Sequence, residues 1–227
     1  MNILKLMRSI FEDRAPTLQP KPPGLAEYFR THPHPGGIIV CKSRKFIYMK
    51  PARTAGTSIL RNYLEKECRD IFHNKDHPAA FQGWLKQLTD NELQDYFIFT
   101  VVRNPWDRFL SAYFYLKIPV SFERFVGEYS IFCQTDAGIH THTLPLYLYS
   151  HTENRSFVDM ICRFENLAAD WKVLCRKLSL PYRALKWVNA TEHNHYSRYY
   201  PGDDLVNQVG EYYATDVNLF GYEFQRK

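Results

Sequence analysis

Apolar runs followed by amphipathic stretches recur along the chain and predict strands that alternate with helices. A short apolar run covers residues 46–49, and a longer one covers residues 97–102. Apolar positions with helical spacing follow the first run, at Ile59, Leu60, Tyr63 and Leu64. Strands of a parallel sheet are buried on both faces, so they are continuous apolar runs of this kind. The pattern therefore predicts an α/β fold, in which a parallel sheet is flanked by helices on both faces.

The second apolar run leads into a segment with the signals of a helix start. Asn104 is a favourable N-cap residue, and Pro105 suits the first helical position. An apolar stripe follows at helical spacing, formed by Trp106, Phe109, Leu110, Tyr113 and Phe114. Arg103 is thus expected at the carboxyl end of a buried strand, where open α/β sheets bind their ligands. Ser111 lies further along the same predicted helix.

The first apolar run leads into a loop of small and polar residues. We expect Thr57 or Ser58 to cap the helix that follows. A strand, a loop and a helix in this order direct unpaired backbone N–H groups and the positive end of the helix dipole to one point, which suits a phosphate group. Lys50 and Arg53 add two cations beside it. The loop resembles a P-loop, but no lysine follows Gly56 as the Walker pattern requires.

The rest of the chain continues the alternation of strands and helices. Residues 157–164 read as a third buried strand. His77 is expected at the start of a helix that includes Phe81. Thr89 and Glu92 have the spacing of a capping box and predict a further short helix.

The N-terminal segment differs in composition from the remainder. Residues 1–11 have the pattern of an amphipathic helix, which we expect to dock on the domain; contact with a membrane surface or a partner is the alternative. Residues 14–37 are rich in proline and predict an extended leader. We therefore expect residues 1–37 to be an N-terminal helix and leader, and residues 38–227 to be one domain.

Charge and cysteine usage restrict the class of protein. The net charge of +5 fits an anionic ligand but is too small to indicate nucleic-acid binding. The five cysteines are odd in number and have no Cys-x-x-Cys spacing, so we expect reduced thiols in the core and no metal site. No apolar run approaches the roughly 20 residues of a membrane-spanning helix. We therefore expect a cytoplasmic protein without a transmembrane segment.

Taken together, the two loop–helix units resemble the sulfotransferases that use 3′-phosphoadenosine 5′-phosphosulfate (PAPS). The second unit matches the family motif throughout, at Val102, Arg103, Asn104, Pro105, Arg108, Ser111 and Tyr113. In the first unit Arg53 stands in the place of the family lysine, and Ala52 in the place of its proline. The resemblance extends over about residues 45–224. It is to the branch that contains the heparan and chondroitin uronosyl 2-O-sulfotransferases and many bacterial relatives.

The resemblance implies that both units bind PAPS, whose product is 3′-phosphoadenosine 5′-phosphate (PAP). In the family the first loop holds the 5′-phosphosulfate. The arginine and serine of the second unit, here Arg103 and Ser111, bind the 3′-phosphate. The residues implied for the first loop are Arg53, Thr54, Ala55, Gly56, Thr57 and Ser58. Arg198 is assigned to the nucleotide as well, because the family has this region near the nucleotide and the acceptor.

The resemblance also implies histidines at the reacting hydroxyl. In the family a histidine just before the helix between the two units is the general base; His77 matches this position, and His73 is the near alternative or a substrate contact. A His-x-x-Pro-Gln segment lines the acceptor site of relatives. His142 and Pro145 fit this segment, whereas Leu146 replaces the glutamine. An ordinary loop histidine is the alternative interpretation of His142.

Two cations compete for the role of the family lysine, which meets the charge on the oxygen that bridges phosphate and sulfate. The position in the loop favours Arg53, and Lys50 at the strand end is the alternative. Arginine offers charge and forked hydrogen bonds, but its high pKa makes it a poor proton donor.

The predicted function is transfer of a sulfuryl group from PAPS to a hydroxyl group, with a carbohydrate as the expected acceptor. One alternative is a nucleotide-binding protein or kinase, although the Walker lysine and an obvious carboxylate pair for Mg²⁺ are missing from the sequence. The other is a non-catalytic binding module, which the departures from the family pattern at Arg53 and Leu146 would favour.

Overall fold

The computed structural model describes residues 18–32, 37–153, 155–186, 188 and 193–227. The predicted amphipathic helix at residues 1–11 lies outside these ranges. In the part of the chain that is described, no helix is both long enough and apolar enough to cross a membrane.

Strands in the described residues form a central sheet and a small hairpin. In chain order they are β1 (Ile38–Cys41), β2 (Phe46–Met49), β3 (Ile71–His73), β4 (Phe97–Val102), β5 (His151–Thr152), β6 (Arg155–Ser156) and β7 (Met160–Arg163). The central sheet has the order β3-β1-β2-β4-β7, and β5 pairs with β6. Strands β2, β4 and β7 are parallel, whereas β1 runs antiparallel to both β2 and β3. The predicted parallel arrangement is confirmed for β2, β4 and β7, of which β7 is an edge strand, and the antiparallel β1 makes the sheet mixed.

Some of the helices cover the sheet, and others pack together in a cluster of their own. They are α1 (Leu25–Thr31), α2 (Gly56–Ile59, continued by a π-helical turn at Leu60–Leu64 and by Glu65–Glu67), α3 (Pro78–Gln87), α4 (Asp90–Gln94), α5 (Pro105–Leu116), α6 (Phe122–Gly127), α7 (Tyr129–Thr135), α8 (Ala137–Thr143), α9 (Leu167–Lys177), α10 (Asp203–Tyr212) and α11 (Ala214–Phe220). Single 3₁₀ turns lie at Leu146–Tyr149, Phe164–Asn166 and Tyr196–Tyr199.

Most of the predicted helix starts are confirmed. The Asn104 side chain accepts the backbone N–H groups of Trp106 and Asp107, and Pro105 is the first residue of α5. The capping box before α4 is present, and His77 immediately precedes α3. The predicted cap at Thr57 or Ser58 is wrong, because α2 begins earlier, at Gly56, after a left-handed Ala55.

Three buried clusters fill the space around the sheet. On one face, α2 and α9 pack over Tyr48, Phe99 and their neighbours. On the other face, α1, α3 and α4 pack over Ile47 and Ile98. The third cluster surrounds Phe109 and is formed by six helices, namely α5, α6, α7, α8, α10 and α11. Helices therefore lie on both faces of the sheet, as the sequence predicts.

The prediction of an extended leader is wrong for residues 25–31, which form α1. Leu25 and Phe29 of this helix are buried against the domain. The prolines do not prevent the helix, because Pro22 and Pro23 precede it, where no intrahelical N–H is required. Residues 18–24, before α1, are fixed by an ion pair between Lys21 and Asp159, which are 2.5 Å apart with both side chains 1% exposed.

All five cysteines are without a disulfide bond, and four of them are buried. Cys133 is the partly exposed one. The buried four therefore lie among the core residues where the sequence predicts them.

Candidate active site

The loop between β2 and α2, here called the β2–α2 loop (residues 50–55), is held in a strained shape. Arg53 and Ala55 both have left-handed backbone angles, with φ of 64° and 61°. Such angles are uncommon for residues other than glycine and persist only where neighbouring contacts enforce them. Arg108 donates a hydrogen bond to the carbonyl of Ala52 (3.0 Å), and Arg103 donates one to the carbonyl of Arg53 (3.0 Å). Arg108 of α5 and Arg103 just before this helix therefore hold the loop in place through its backbone carbonyls.

Lys50 lies across the start of α2. A Cβ atom added at Gly56 would be 2.8 Å from both Cγ and Cε of Lys50, so the lysine stem fills the space that a side chain would need. The surrounding pocket, here called the Lys50 pocket, has a volume of about 200 Å³. It is lined by Gly37, Ile39, Lys50, Thr57, Leu60, Arg61, His73, Lys75, Asp76 and Tyr115.

The electrostatics of the Lys50 pocket favour an anion. Burial, followed by the nearby charges of Lys75 and Arg61, lowers the pKa of Lys50 to about 8. These three cations share the pocket with a single carboxylate, that of Asp76. Because like charges are brought together at the N-terminus of α2, a phosphate or sulfate group would relieve their repulsion.

The side chain of Arg53 contacts Ser111 rather than the Lys50 pocket. Its Nε and Nη2 atoms donate hydrogen bonds to Oγ of Ser111, at 3.1 Å and 2.9 Å. Its guanidinium lies 4.3 Å from the ring centre of Tyr115. Burial and the charge of Arg103 lower the pKa of Arg53 to about 10. The predicted cofactor residues Arg53, Arg103 and Ser111 are thus together, here called the Arg53 cluster.

His73 and His77 are adjacent but have different surroundings. His73 ends β3 and is buried, and burial lowers its pKa. Its Nδ1 accepts the backbone N–H of Asp76 (3.3 Å), while its Nε2 is 3.2 Å from Oδ2 of Asp76, within ion-pair distance but not aligned as a hydrogen bond. His77 is exposed, and its ring stands edge-on to that of His73, with centres 5.0 Å apart.

His142 lies in the last turn of α8 and not in a loop, as the alternative interpretation of this residue would have it. Its Nδ1 is 2.8 Å from the carbonyl of Gly138, which can only accept, so Nδ1 carries the proton and Nε2 is the acceptor. Burial lowers the pKa of His142, and the charges of Arg53 and Lys75 add to this effect. The ring lies against Tyr115, with centres 5.1 Å apart. Tyr115 therefore joins His142 to the Lys50 pocket.

The other predicted cofactor residues have varied positions. Thr57 lines the Lys50 pocket. Thr54 is buried and its hydroxyl donates to the carbonyl of Pro51 within the loop. Ser58 is buried inside α2 and accepts the backbone N–H of Val188. Arg198 is exposed on the turn Tyr196–Tyr199 and is not among the residues that line the Lys50 pocket.

Sequence reasoning missed most of the pocket wall, including its charged or aromatic residues Arg61, Lys75, Asp76 and Tyr115, and two of these four had a detectable signal. Arg61 lies four positions after Thr57 on α2, and Tyr115 lies four positions after Ser111 on α5. Residues four apart share a helix face, so each could have been found from its partner. Lys75 lies in the turn after β3 and had no such signal. Within the described ranges, no group of three or more His, Cys, Asp or Glu residues is arranged to hold a metal ion.

Comparison with known protein families gives a match that covers the residues of this site. Residues 37–223 match the sulfotransferase family, and the matched region contains the β2–α2 loop, α5 and all residues of the Lys50 pocket. No match was found among curated proteins or among solved structures. Because the family match covers most of the sequence, the chain belongs to the sulfotransferase family.

Proposed function

We propose that the protein transfers a sulfuryl group from PAPS to a hydroxyl group of a carbohydrate. The observation that carries this proposal is the position of two cationic groups on either side of one loop. Lys50 lies in a pocket at the start of α2, and Arg53 lies with Arg103, just before α5, and with Ser111, in the middle of α5. Tyr115 contacts both, since it lines the Lys50 pocket and stacks on Arg53.

The residues of both groups fit a donor with two separate anionic ends. PAPS supplies a sulfuryl group on its 5′-phosphate and carries a further phosphate on the 3′ position. Lys50 and Thr57, with backbone N–H groups at the start of α2, would hold the phosphosulfate. Arg103, Arg53 and Ser111 would hold the 3′-phosphate through charge-assisted hydrogen bonds.

This proposal assigns the role of catalytic cation to Lys50. It therefore departs from the position in the loop, which favours Arg53. The guanidinium of Arg53 is bonded to Ser111, whereas the stem of Lys50 crosses Gly56 at the helix start. Lys50 can also donate a proton near neutral pH, because its pKa is lowered to about 8. In this role its ammonium group would stabilise the negative charge that grows on the departing phosphate.

We assign the general base to His77 and a supporting role to His73. Both ring nitrogens of His73 lie near Asp76: Nδ1 accepts its backbone N–H, and Nε2 is 3.2 Å from its carboxylate, which would compete with an acceptor hydroxyl for this nitrogen. His77 is exposed beside it at the start of α3, and a base must be able to reach the proton that it removes. The contact between the two rings would fix the position of His77 relative to the pocket.

A carbohydrate is the acceptor that we propose, and a uronosyl residue is the finer form of this proposal. The support is the wall formed by Tyr115, which is 42% exposed, and His142. An exposed aromatic face beside a polar imidazole offers both an apolar surface and a hydrogen-bond acceptor to a sugar. The cytoplasmic location remains a prediction.

Calorimetry with PAP and ATP, together with turnover of labelled PAPS on a panel of glycans, would test the proposal. We expect PAP to bind more tightly than ATP. Arg103→Ala should weaken PAP binding by about ten- to hundredfold and Ser111→Ala by less, since charged hydrogen bonds are the stronger ones. Arg124→Ala, on the exposed face of α6, is the matched control. Equal affinity for ATP, or PAP binding without turnover on any acceptor, would instead support one of the alternative functions.

A further inference from the structure

Arg108 lies between the β2–α2 loop and α8, and it bonds to both. Its side chain is fully buried. Its Nε donates to the carbonyl of Ala52 in the loop (3.0 Å), and its Nη2 donates to the carbonyl of His142 at the end of α8 (3.3 Å). One guanidinium group therefore connects the backbone on the cofactor side of the site with the backbone on the acceptor side.

The surroundings of Arg108 compensate its charge only in part. No carboxylate among the described residues forms an ion pair with it, and its Nη1 is buried without a hydrogen-bond partner. The ring of Tyr213 lies 5.9 Å away. Burial raises the pKa of Asp216 to about 6, and the nearby charge of Arg108 opposes this only in part; the carboxylate accepts the backbone N–H groups of Leu146 and Tyr147. Buried charge of this kind is unfavourable for folding, so stability alone does not account for an arginine here.

We infer that Arg108 is a positioning residue that couples the β2–α2 loop to α8, so that anion binding at the loop and the position of His142 depend on each other. This inference rests on the proposed function, since it takes the loop as the cofactor site.

The rigidity of the connection supports the inference. The guanidinium group is planar, and its donors have fixed directions, so the loop and α8 cannot shift separately without breaking one of the two bonds. The end of α8 is fixed on its other side as well, because Tyr213 donates to the carbonyl of Thr143 (2.5 Å). Coupling between two sites is reciprocal in binding free energy. PAP at the loop should therefore also order α8.

Hydrogen exchange of the backbone amides of α8 would test this coupling. In the wild-type protein we expect saturating PAP to slow exchange in α8 by about fivefold or more, the lower end of usual coupling factors. Arg108→Lys keeps the charge but cannot bond both carbonyls in the same plane. At its own saturating PAP concentration, this variant should lose most of that protection. Arg124→Lys on α6 is the matched control and should respond as the wild type does.

Each outcome decides the inference. Protection of α8 in the wild type and its loss in Arg108→Lys support it; Arg108→Gln serves the same purpose if the lysine variant does not fold. PAP binding to the wild type without protection of α8 overturns the inference but leaves the proposed function standing. Equal protection in the wild type and in PAP-saturated Arg108→Lys or Arg108→Gln also overturns it. Absence of PAP binding to the wild type overturns the proposed function and this inference together.

Discussion

Lys50 and Arg53 belong to one loop, but their side chains lead to different parts of the site. The left-handed angle at Arg53 turns the backbone between them. Lys50 consequently lines the pocket at the start of α2, while Arg53 donates a hydrogen bond to Ser111 on α5. Two cations that look interchangeable in the sequence therefore have separate functions in the proposed mechanism.

Substitution of these two cations should separate catalysis from cofactor binding. Lys50→Ala should lower kcat at saturating PAPS by about 10²-fold, the effect of one lost preorganised donor. Arg53→Ala should instead weaken PAP binding by about tenfold, since it removes a charged contact. Steady-state kinetics and PAP titration of both variants would check this. A nearly inactive Arg53→Ala beside a mild Lys50→Ala would return the catalytic role to Arg53.

The pH profile should carry the signature of Lys50. The lysine is protonated below its pKa of about 8 and neutral above it. We therefore expect kcat/KM for PAPS to be highest below that pH and to fall as the pH rises through it. Lys50→Arg should move this alkaline decline upward, because arginine remains protonated. An unchanged decline in Lys50→Arg would show that another group causes it.

The two neighbouring histidines should differ in their contribution to turnover. His77→Ala should lower kcat by about 10²–10⁴-fold, the usual range for a general base, with PAP affinity nearly unchanged. His73→Ala should have a smaller effect, since His73 faces Asp76. His142→Ala should mainly raise the KM for the acceptor. Kinetics with the three variants would check the order, and a reversed order for His73 and His77 would exchange their roles.

At the residue scale, the sequence predicted which residues lie close together better than it predicted the directions of their side chains. Arg103 and Ser111 were placed by a strand end and a helix start, both of which have clear local signals. The bond from Arg53 to Ser111 had no such signal, because it depends on left-handed angles at Arg53 and Ala55. Left-handed angles are uncommon for residues other than glycine, so the sequence does not predict them at an arginine or an alanine.

At the element scale, the start of α2 is the least regular part of the site. The helix begins at Gly56, changes to a π-helical turn at Leu60–Leu64, and has no side-chain cap. The predicted caps have other positions: Ser58 is inside the helix and Thr57 is at the pocket. Strands β1 and β3 were also missed. β3 has only three residues, too few for a periodicity to show, whereas β1 is as long as the predicted β2 but is not followed by a helix start.

The packing of Lys50 on the start of α2 can be tested with Gly56→Ala. The added methyl group would displace the lysine stem, so we expect kcat to fall by about tenfold or more, within the range for a weakened transition-state contact. In a Lys50→Ala background the same substitution should change kcat little, because the lysine stem that the methyl group would displace is absent. Turnover of the four proteins forms a double-mutant cycle. Gly83→Ala on α3, where nothing lies within 4 Å, is the control. Additive effects would contradict a role through Lys50.

At the scale of the whole molecule, residues 18–32 are part of the domain's packing. Helix α1 contributes to the same buried cluster as α3 and α4. The chain before it is held at Asp159, whose carboxylate accepts from the backbone of Gln19 and Ile98 as well as from Lys21. The prolines did not predict this packing. They show where a helix cannot form, but not that the residues between them form a helix that packs on the domain.

The buried ion pair between Lys21 and Asp159 should therefore stabilise the fold without affecting the site. Lys21→Met leaves the Asp159 carboxylate buried without its cation, and breaking such a pair typically lowers the free energy of unfolding by about 3 kcal/mol or more. The backbone bonds from Gln19 and Ile98 remain, so we expect a loss at the lower end of that range. Urea titration would measure it, with the exposed Lys86→Met on α3 as the control. PAP affinity should stay within about twofold, a change of less than 1 kcal/mol. A stability equal to that of the control would mean that the ion pair does not hold the N-terminal segment, whereas a large loss of PAP affinity would mean that this segment supports the active site.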